Sequence, residues 1–258
     1  IFFFSWFLQK NQERINRPSV LVTAAALAAV PLALILKQPD LSTSIVIVFF
    51  LLCMIYMSGI SYKWIAGTLA VAVPSLALVV WLAKNNMMPF LEPYQVNRIL
   101  AFINPGKYAE LNLQQDNSKM AIGSGRLYGK GLFNDTAISV KNGNFLSEEH
   151  TDFIFSVIGE ELGFIGCMAV LLLFLLFVFE CLGMASRARD MAGRLFCTGM
   201  AALVGFQAFT NIAVATGVFP NTGLPLPFIS YGVSSLASLY IGIGILLNVG
   251  LQQRKLEF

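Results

Sequence analysis

The stretch FIFSVIGEELGFIGCMAVLLLFLLFVFE, residues 153–180, decides the fold class of this chain. A helix of about 20 predominantly apolar residues is long enough to cross the roughly 30 Å hydrocarbon core of a bilayer. The stretch exceeds that length, and its interior carries charge only at Glu160 and Glu161. It therefore predicts a transmembrane helix whose two acidic residues face the protein interior, because a charged side chain at mid-bilayer is costly.

Apolar segments of similar length recur on both sides of this stretch. We predict membrane spans at 18–36, 40–58, 62–82, 195–217 and 233–251, and the end of a further span at 1–8. The polar segment 83–152 is far longer than a usual connection and is expected to be a large functional loop. The sequence thus predicts an all-α fold, a polytopic transmembrane helical bundle that forms one membrane domain over 1–258.

Composition supports the membrane class. Hydrophobic residues make up 57% of the 258 residues, charged residues 12%, and mean hydropathy is +0.71. Soluble domains carry about 25% charged residues, and only lipid-facing helices can dispense with a polar face. The net charge of +3 is small and dispersed, so the lipid bilayer is expected as a partner and nucleic acid is not.

Cysteine and histidine usage excludes the common metal and disulfide frameworks. The four cysteines lack CxxC spacing and lie within or at the ends of apolar segments, which predicts buried free thiols, at Cys53, Cys167, Cys181 and Cys197. One histidine, His150, rules out a multi-histidine metal site. The chain begins at Ile1 without methionine, and we expect it to be a segment of a longer protein.

The distribution of basic residues predicts the orientation. Cytoplasmic connections carry an excess of Lys and Arg. The short connections on one side contain Lys10, Arg14, Arg17, Lys63, Arg187, Arg189, Arg194, Arg254 and Lys255, whereas those on the other side contain Lys37. The first side is predicted to be cytoplasmic, so the 83–152 loop is expected to face outward.

Two proline-containing turns are expected on the outer side. In 37–43, KQPDLST, Pro39 blocks helix continuation and Asp40 can cap the next helix. The stretch 220–232, PNTGLPLPFISYG, is broken yet apolar, and such backbone persists near a membrane only where it is buried in protein or lines a cavity. The second turn is therefore a candidate wall of an outward-facing site.

Two further stretches lie within or at the end of the loop. The glycines of 121–131, AIGSGRLYGKG, together with Lys119 and Lys130, fit either phosphate recognition by backbone amides and cations or a plain irregular loop. The acidic stretch 148–152, EEHTD, stands where the chain re-enters the membrane. It fits either a helix cap or a general base at the water–lipid boundary.

These stretches resemble the motifs of the SEDS family. The resemblance is carried by KQPDL at 37–41, YQ..R...F.NP at 94–105, AIGSG and GKG at 121–131, LSEEHTDFIF at 146–155, GEELGF at 159–164 and NTGLPLPFISYG at 221–232. It covers nearly the whole chain and leans toward the RodA-type members. This chain departs from the family pattern at four positions, Ser42, Arg126, Ser147 and Val233. The first three spans of the family pattern and most of the fourth are absent from this sequence.

The resemblance implies an inverting peptidoglycan glycosyltransferase that polymerises lipid II for cell elongation or division. It implies a donor glycan on undecaprenyl pyrophosphate, a class B penicillin-binding protein as partner, and an outward-facing site in the bacterial cell membrane. It assigns the general base to Asp152. A divalent cation, Mg²⁺ or Mn²⁺, would have Asp152 and Glu148 as candidate ligands. The candidate substrate-binding residues are Arg98, Ser118, Lys119, Ser124, Lys130, Glu148, His150, Thr151 and Ser230.

Two other functions stay open at the level of sequence. A lipid II flippase would use an outward cavity and intramembrane acids such as Glu160 and Glu161, since buried acids mark transport paths. A non-catalytic scaffold for the penicillin-binding protein would tolerate the loss of Asp152.

Overall fold

The computed structural model describes residues 1–38, 40–84, 93–104, 106–132 and 150–252. Regular structure in these ranges is helical, with a short 3₁₀ turn at Gln12–Arg14. The helices are α1 (Phe2–Lys10), α2 (Pro18–Leu36), α3 (Leu41–Met57), α4 (Tyr62–Lys84), α5 (Pro93–Ile103), α6 (Ala109–Ser124), α7 (Ile154–Arg187), α8 (Met191–Ala215) and α9 (Val233–Leu251).

The predicted membrane spans coincide with helices. Within the described ranges, α2, α7, α8 and α9 are long and apolar enough to cross a bilayer, and α3 is a shorter apolar helix. Asp40 caps α3 as predicted, because its Oδ1 accepts a hydrogen bond of 2.9 Å from the Thr43 amide. The protein is therefore a multi-pass, all-α membrane protein.

The long loop contains helices that the sequence did not predict. Both α5 and α6 lie inside 83–152. The buried face of α6 carries Gln115, Ser118 and Ala121, which recur every three residues but are polar or small. Sequence reasoning looked for apolar periodicity, and a helix that buries hydrogen-bonded polar groups lacks that signal.

Contacts divide the chain into two compact units. Unit A comprises 1–66, 173–207 and 232–258, and unit B comprises 67–172 and 208–231. In unit A, Phe49 stacks on Phe206 with ring centroids 4.1 Å apart, and Met54 and Leu195 are fully buried. The cysteines are free thiols, as predicted. Unit B holds the described candidate site residues.

Within unit B, helix α7 is interrupted at Gly163, where φ is 66° and ψ is −163°. The loop after α6 replaces the missing helical hydrogen bonds. The amides of Lys130 and Gly131 donate to the carbonyls of Glu160 and Glu161 at 2.9 and 3.0 Å. In return, the amides of Phe164 and Ile165 donate to the carbonyls of residues 126 and 127 at 2.8 and 3.2 Å. Backbone groups left unpaired in a membrane protein are costly, so this exchange stabilises the break.

The exchange requires glycines at the points of closest approach. A methyl group at Gly125 would lie 1.9 Å from the Gly159 carbonyl oxygen, and one at Gly129 would lie 2.1 Å from that of Glu161. Arg126 adopts a left-handed conformation with φ of 51°, which glycine adopts at lower cost. The departure from the resembled motif at Arg126 therefore falls at a position whose conformation favours glycine.

We expect Gly125→Ala to destabilise the protein by about 1–3 kcal/mol, the usual cost of overpacking. The φ of Gly125 is −73°, so the cost arises from the contact with α7 and not from backbone strain. Gly123→Ala is the matched control, because a methyl group there meets nothing within 4 Å. Thermal unfolding in detergent should show the control unchanged or slightly stabilised. Equal melting temperatures for the two variants would contradict the close packing.

Candidate active site

The segment 150–152, here called the acidic segment, is held by hydrogen bonds to three consecutive carbonyls. The Tyr231 amide donates to the His150 carbonyl at 2.9 Å. The Ser230 hydroxyl donates to the Thr151 carbonyl at 2.5 Å. Asn211 Nδ2 donates to the Asp152 carbonyl at 2.7 Å. The 220–232 stretch and the end of α8 therefore fix the backbone that precedes α7.

An apolar anchor follows the acidic segment directly. Phe153 is fully buried and packs with Val214 and Phe219. Phe219 in turn meets the ring of Phe209 edge-on at 5.6 Å between centroids. Burial of a large aromatic side chain contributes strongly to stability, so the residue after Asp152 has one well-defined position.

The Asp152 carboxylate and the Arg98 guanidinium converge on Gly223. A methyl group built at Gly223 would lie 3.3 Å from Asp152 Oδ2 and 3.8 Å from Arg98 Nη1. Both side chains are half-buried, and Gly223 has a φ of +71°, which favours glycine. Three separate stretches thus bring together a carboxylate, which can accept a proton, and a guanidinium, which can bind an anionic group.

Three predicted substrate-binding hydroxyls have structural partners. Ser118 is fully buried, donates to the Ala215 carbonyl at 2.7 Å and shares a hydrogen bond with Ser156. Ser230 is 3% exposed and also accepts the Leu226 amide. Ser124 donates to the Ala121 carbonyl within α6. The hydroxyls of Ser118 and Ser230 are buried and bonded to the main chain, and their contact with a substrate stays a prediction.

The two predicted lysines form ion pairs. Lys119 Nζ lies 2.6 Å from Asp116 Oδ1, with both side chains about half exposed. Lys130 Nζ lies 2.6 Å from Glu160 Oε1, whose side chain is 3% exposed. The inward position predicted for Glu160 is confirmed, whereas Glu161 is partly exposed. Lys130 therefore neutralises a buried carboxylate of α7.

The glycine-rich loop uses its amides internally. The amides of residues 125, 126 and 129 donate to the carbonyls of residues 122, 123 and 125, and those of 130 and 131 donate to α7. The glycines serve close backbone packing, and most of the loop amides that a phosphate would need are already bonded to carbonyls. This favours the structural alternative for the loop.

Of the remaining predicted residues, His150 is exposed and Thr151 is half-buried, both within the acidic segment. Glu148 lies outside the described residues. Among the residues that the structure describes, no group of three His, Cys, Asp or Glu side chains is placed to hold a metal ion.

Sequence reasoning missed two amide side chains. Gln115 Nε2 donates to the carbonyls of Val214 and Phe219 at 2.8 and 2.7 Å. Asn211 Nδ2 donates to the carbonyls of Asp152 and Leu224. The available signal was Asn211 itself, a polar side chain inside the apolar segment predicted to span at 195–217.

Comparison with known proteins gives a consistent result along nearly the whole chain. The family model FTSW_RODA_SPOVE, described as cell cycle protein, matches residues 1–255. The chain is 36% identical over 251 residues to the probable peptidoglycan glycosyltransferase FtsW of Trichlorobacter lovleyi, covering 96% of this chain and 62% of that protein. It is 35% identical over 245 residues to the peptidoglycan glycosyltransferase MrdB of Escherichia coli strain K12, covering 93% and 63%.

Solved structures of peptidoglycan synthesis and rod-shape proteins also resemble this chain in fold. A structure described as "Structural coordination of polymerization and crosslinking by a peptidoglycan synthase complex" matches with a TM-score of 0.73 and 28% identity, covering 96% of this chain and 67% of that one. The rod shape determining protein RodA of Thermus thermophilus matches with a TM-score of 0.61 and 28% identity, covering 96% and 64%. The chain spans a little under two thirds of the length of the FtsW and MrdB relatives, and their nearly equal identities do not separate the two types.

Proposed function

This chain belongs to the FtsW/RodA/SpoVE family of cell cycle proteins, the SEDS family, and on that premise we propose that it carries the catalytic centre of a peptidoglycan glycosyltransferase that polymerises lipid II. The convergence of Asp152 and Arg98 on Gly223 carries the proposal. The names of the FtsW and MrdB relatives support the same reaction class.

In the proposed reaction Asp152 acts as the general base. Its carboxylate accepts the proton of the acceptor sugar hydroxyl on lipid II as that oxygen bonds to the anomeric carbon of the donor glycan. The bond between this carbon and the pyrophosphate oxygen breaks, and undecaprenyl pyrophosphate leaves with the electron pair. The Arg98 guanidinium stabilises the negative charge that develops on the leaving group. Attack opposite the leaving group inverts the anomeric centre.

The partners and the cation belong to the same proposal. A class B penicillin-binding protein is the proposed partner, and the similarity to a peptidoglycan synthase complex supports it. Asp152 and Glu148 stay the proposed ligands of Mg²⁺ or Mn²⁺, and no step above depends on the ion. Lys119 is a further candidate for phosphate binding, since it is half exposed.

The pairing of Glu160 with Lys130 weakens the flippase alternative. Intramembrane acids suggested a transport path, but Glu160 is buried against a cation and so has a structural partner. The deciding experiment supplies lipid II to the purified protein and its partner in detergent micelles. Glycan polymer can form there without two compartments, whereas transport produces no polymer. Absence of polymer with an active partner would contradict the proposed function.

We also propose that the site faces outward, as the distribution of basic residues in the short connections predicts. Asn142→Cys, in the loop but outside the described residues, should react with a membrane-impermeant thiol reagent added to intact cells. Lys63→Cys, in the first turn of α4 at its predicted cytoplasmic end, is the matched control and should react only after lysis. The reverse pattern would contradict the orientation.

A further inference from the structure

Asn211 binds two of the chain segments that meet at the proposed catalytic site, the one that ends at Asp152 and the one that contains Gly223. It lies on α8 and is 1% exposed. Its Nδ2 donates to the Asp152 carbonyl at 2.7 Å and to the Leu224 carbonyl at 2.6 Å. Two donor hydrogens therefore bind two carbonyls from separate stretches of the chain.

The two carbonyls are next to the groups that meet at the site. Asp152 carries the carboxylate, and Leu224 follows Gly223 in the chain. The Asp152 Oδ2 atom lies 3.3 Å from the position that a methyl group would take at Gly223. One side-chain amide thus holds the 152–153 peptide and the 224–225 peptide, one residue beyond Gly223, at the same time. Displacement of either peptide would move the carboxylate relative to the glycine and to Arg98.

Ser230 repeats the arrangement one residue earlier. Its hydroxyl donates to the Thr151 carbonyl and accepts the Leu226 amide, so it too joins the acidic segment to the 220–232 stretch. Asn211 and Ser230 are both buried, and the donors of both side chains bind main-chain carbonyls. We therefore expect both residues to influence the chemistry by holding the acidic segment against the 220–232 stretch.

We propose that Asn211 is a positioning residue, which holds the Asp152 carboxylate in its reactive place over Gly223, and that Ser230 assists it. The inference rests on the proposed function, in which Asp152 is the general base. The competing explanation is that Asn211 merely satisfies buried carbonyls, in which case its loss lowers stability and leaves the reactivity of position 152 unchanged.

The first arm of the test measures steady-state polymerisation of lipid II by the membrane-reconstituted protein with its partner. Asn211→Leu keeps the number and branching of the side-chain heavy atoms and removes both donors, and we expect kcat to fall by about 10²-fold with KM nearly unchanged, the effect of misplacing a reacting group by about 1 Å. Asn211→Ser, which keeps one donor and is milder for folding, should give an intermediate kcat. The matched control is Thr198→Val, another buried polar residue of α8, whose hydroxyl donates to the Arg194 carbonyl within the helix.

The second arm needs no activity. Asp152→Cys is placed in a protein whose four native cysteines are replaced by alanine, and the rate of its reaction with a small water-soluble thiol reagent is measured. We expect Asn211→Leu and Asn211→Ser to change this rate, and Thr198→Val to leave it unchanged.

The two arms separate the inference from the proposed function. If the Asn211 variants match Thr198→Val in kcat and in labelling rate, the positioning role is overturned whatever their melting temperatures. If Asp152→Asn polymerises at the wild-type rate, the proposed function fails, and the labelling rate alone then decides whether Asn211 positions residue 152.

Discussion

Asp152→Asn is expected to lower lipid II polymerisation by about 10²–10⁴-fold, the usual contribution of a general base, in a protein that stays folded. Asparagine has the size of aspartate but cannot accept the proton of the acceptor hydroxyl. The substitution leaves intact the hydrogen bond from Asn211 to the main-chain carbonyl of residue 152 and the packing of Phe153. The measurement is polymer formed per unit time, beside a thermal unfolding curve.

A helix cap would respond differently to the same substitution, because Asn and Asp cap helices almost equally well. Asp190→Asn is the matched control. Asp190 precedes α8 as Asp152 precedes α7, and its Oδ1 accepts the Gly193 amide at 3.3 Å. We expect this control to polymerise at the wild-type rate. A folded Asp152→Asn protein that does the same would end the catalytic assignment.

Lys130→Met is expected to destabilise the protein by about 3–5 kcal/mol, because it removes the cation 2.6 Å from the buried Glu160 carboxylate. The remaining carboxylate, Glu160, lies inside unit B with a 3% exposed side chain. Lys130→Met combined with Glu160→Gln should recover most of the loss, because the double variant has no charge left to bury. The free energy of unfolding, or the melting temperature in one detergent, measures both effects.

The control for burial is Lys119→Met. Lys119 and Asp116 form an ion pair with the same 2.6 Å separation, but both side chains are about half exposed. Exposed pairs contribute about 0–1 kcal/mol, so this variant should be nearly as stable as wild type. Equal losses for Lys119→Met and Lys130→Met would show that burial of Glu160 does not set the cost. Failure of Glu160→Gln to restore stability would show that the charge is not its cause.

The two ion pairs show that the position of a basic residue in the sequence does not by itself identify the partner of its charge. Lys119 lies just before the glycine-rich stretch, Lys130 lies within it, and both are given the same candidate role by the sequence. In the structure Lys119 pairs with Asp116 on the preceding turn of its own helix, whereas Lys130 pairs with Glu160, 30 residues away on α7. No local pattern distinguishes these two outcomes, because the second partner is brought close only by folding.

The serines show the same limit for hydroxyl groups. Ser230 lies in a stretch that resembles a family motif, Ser118 lies three residues before another, and the resemblance made both candidates for substrate contact. Their hydroxyls bind the carbonyls of Thr151 and Ala215, in parts of the chain 79 and 97 residues away. A motif identifies a candidate residue. The spatial neighbours of that residue are needed to distinguish a direct contact with a ligand from a role in holding another residue that makes the contact.

The sequence by itself determined the membrane class, the helices that form the spans and the identity of Asp152 as the leading candidate. Spans depend on the length of apolar segments and on the need to pair every backbone group within one helix, which are local properties. Tertiary structure alone decided that α7 is broken at Gly163 and supported by the loop after α6. It also decided that Arg98 and Asp152 meet at Gly223, with Asn211 binding the carbonyls beside that contact. These features join residues far apart in the chain, and their close backbone and polar contacts leave no periodic trace in the sequence.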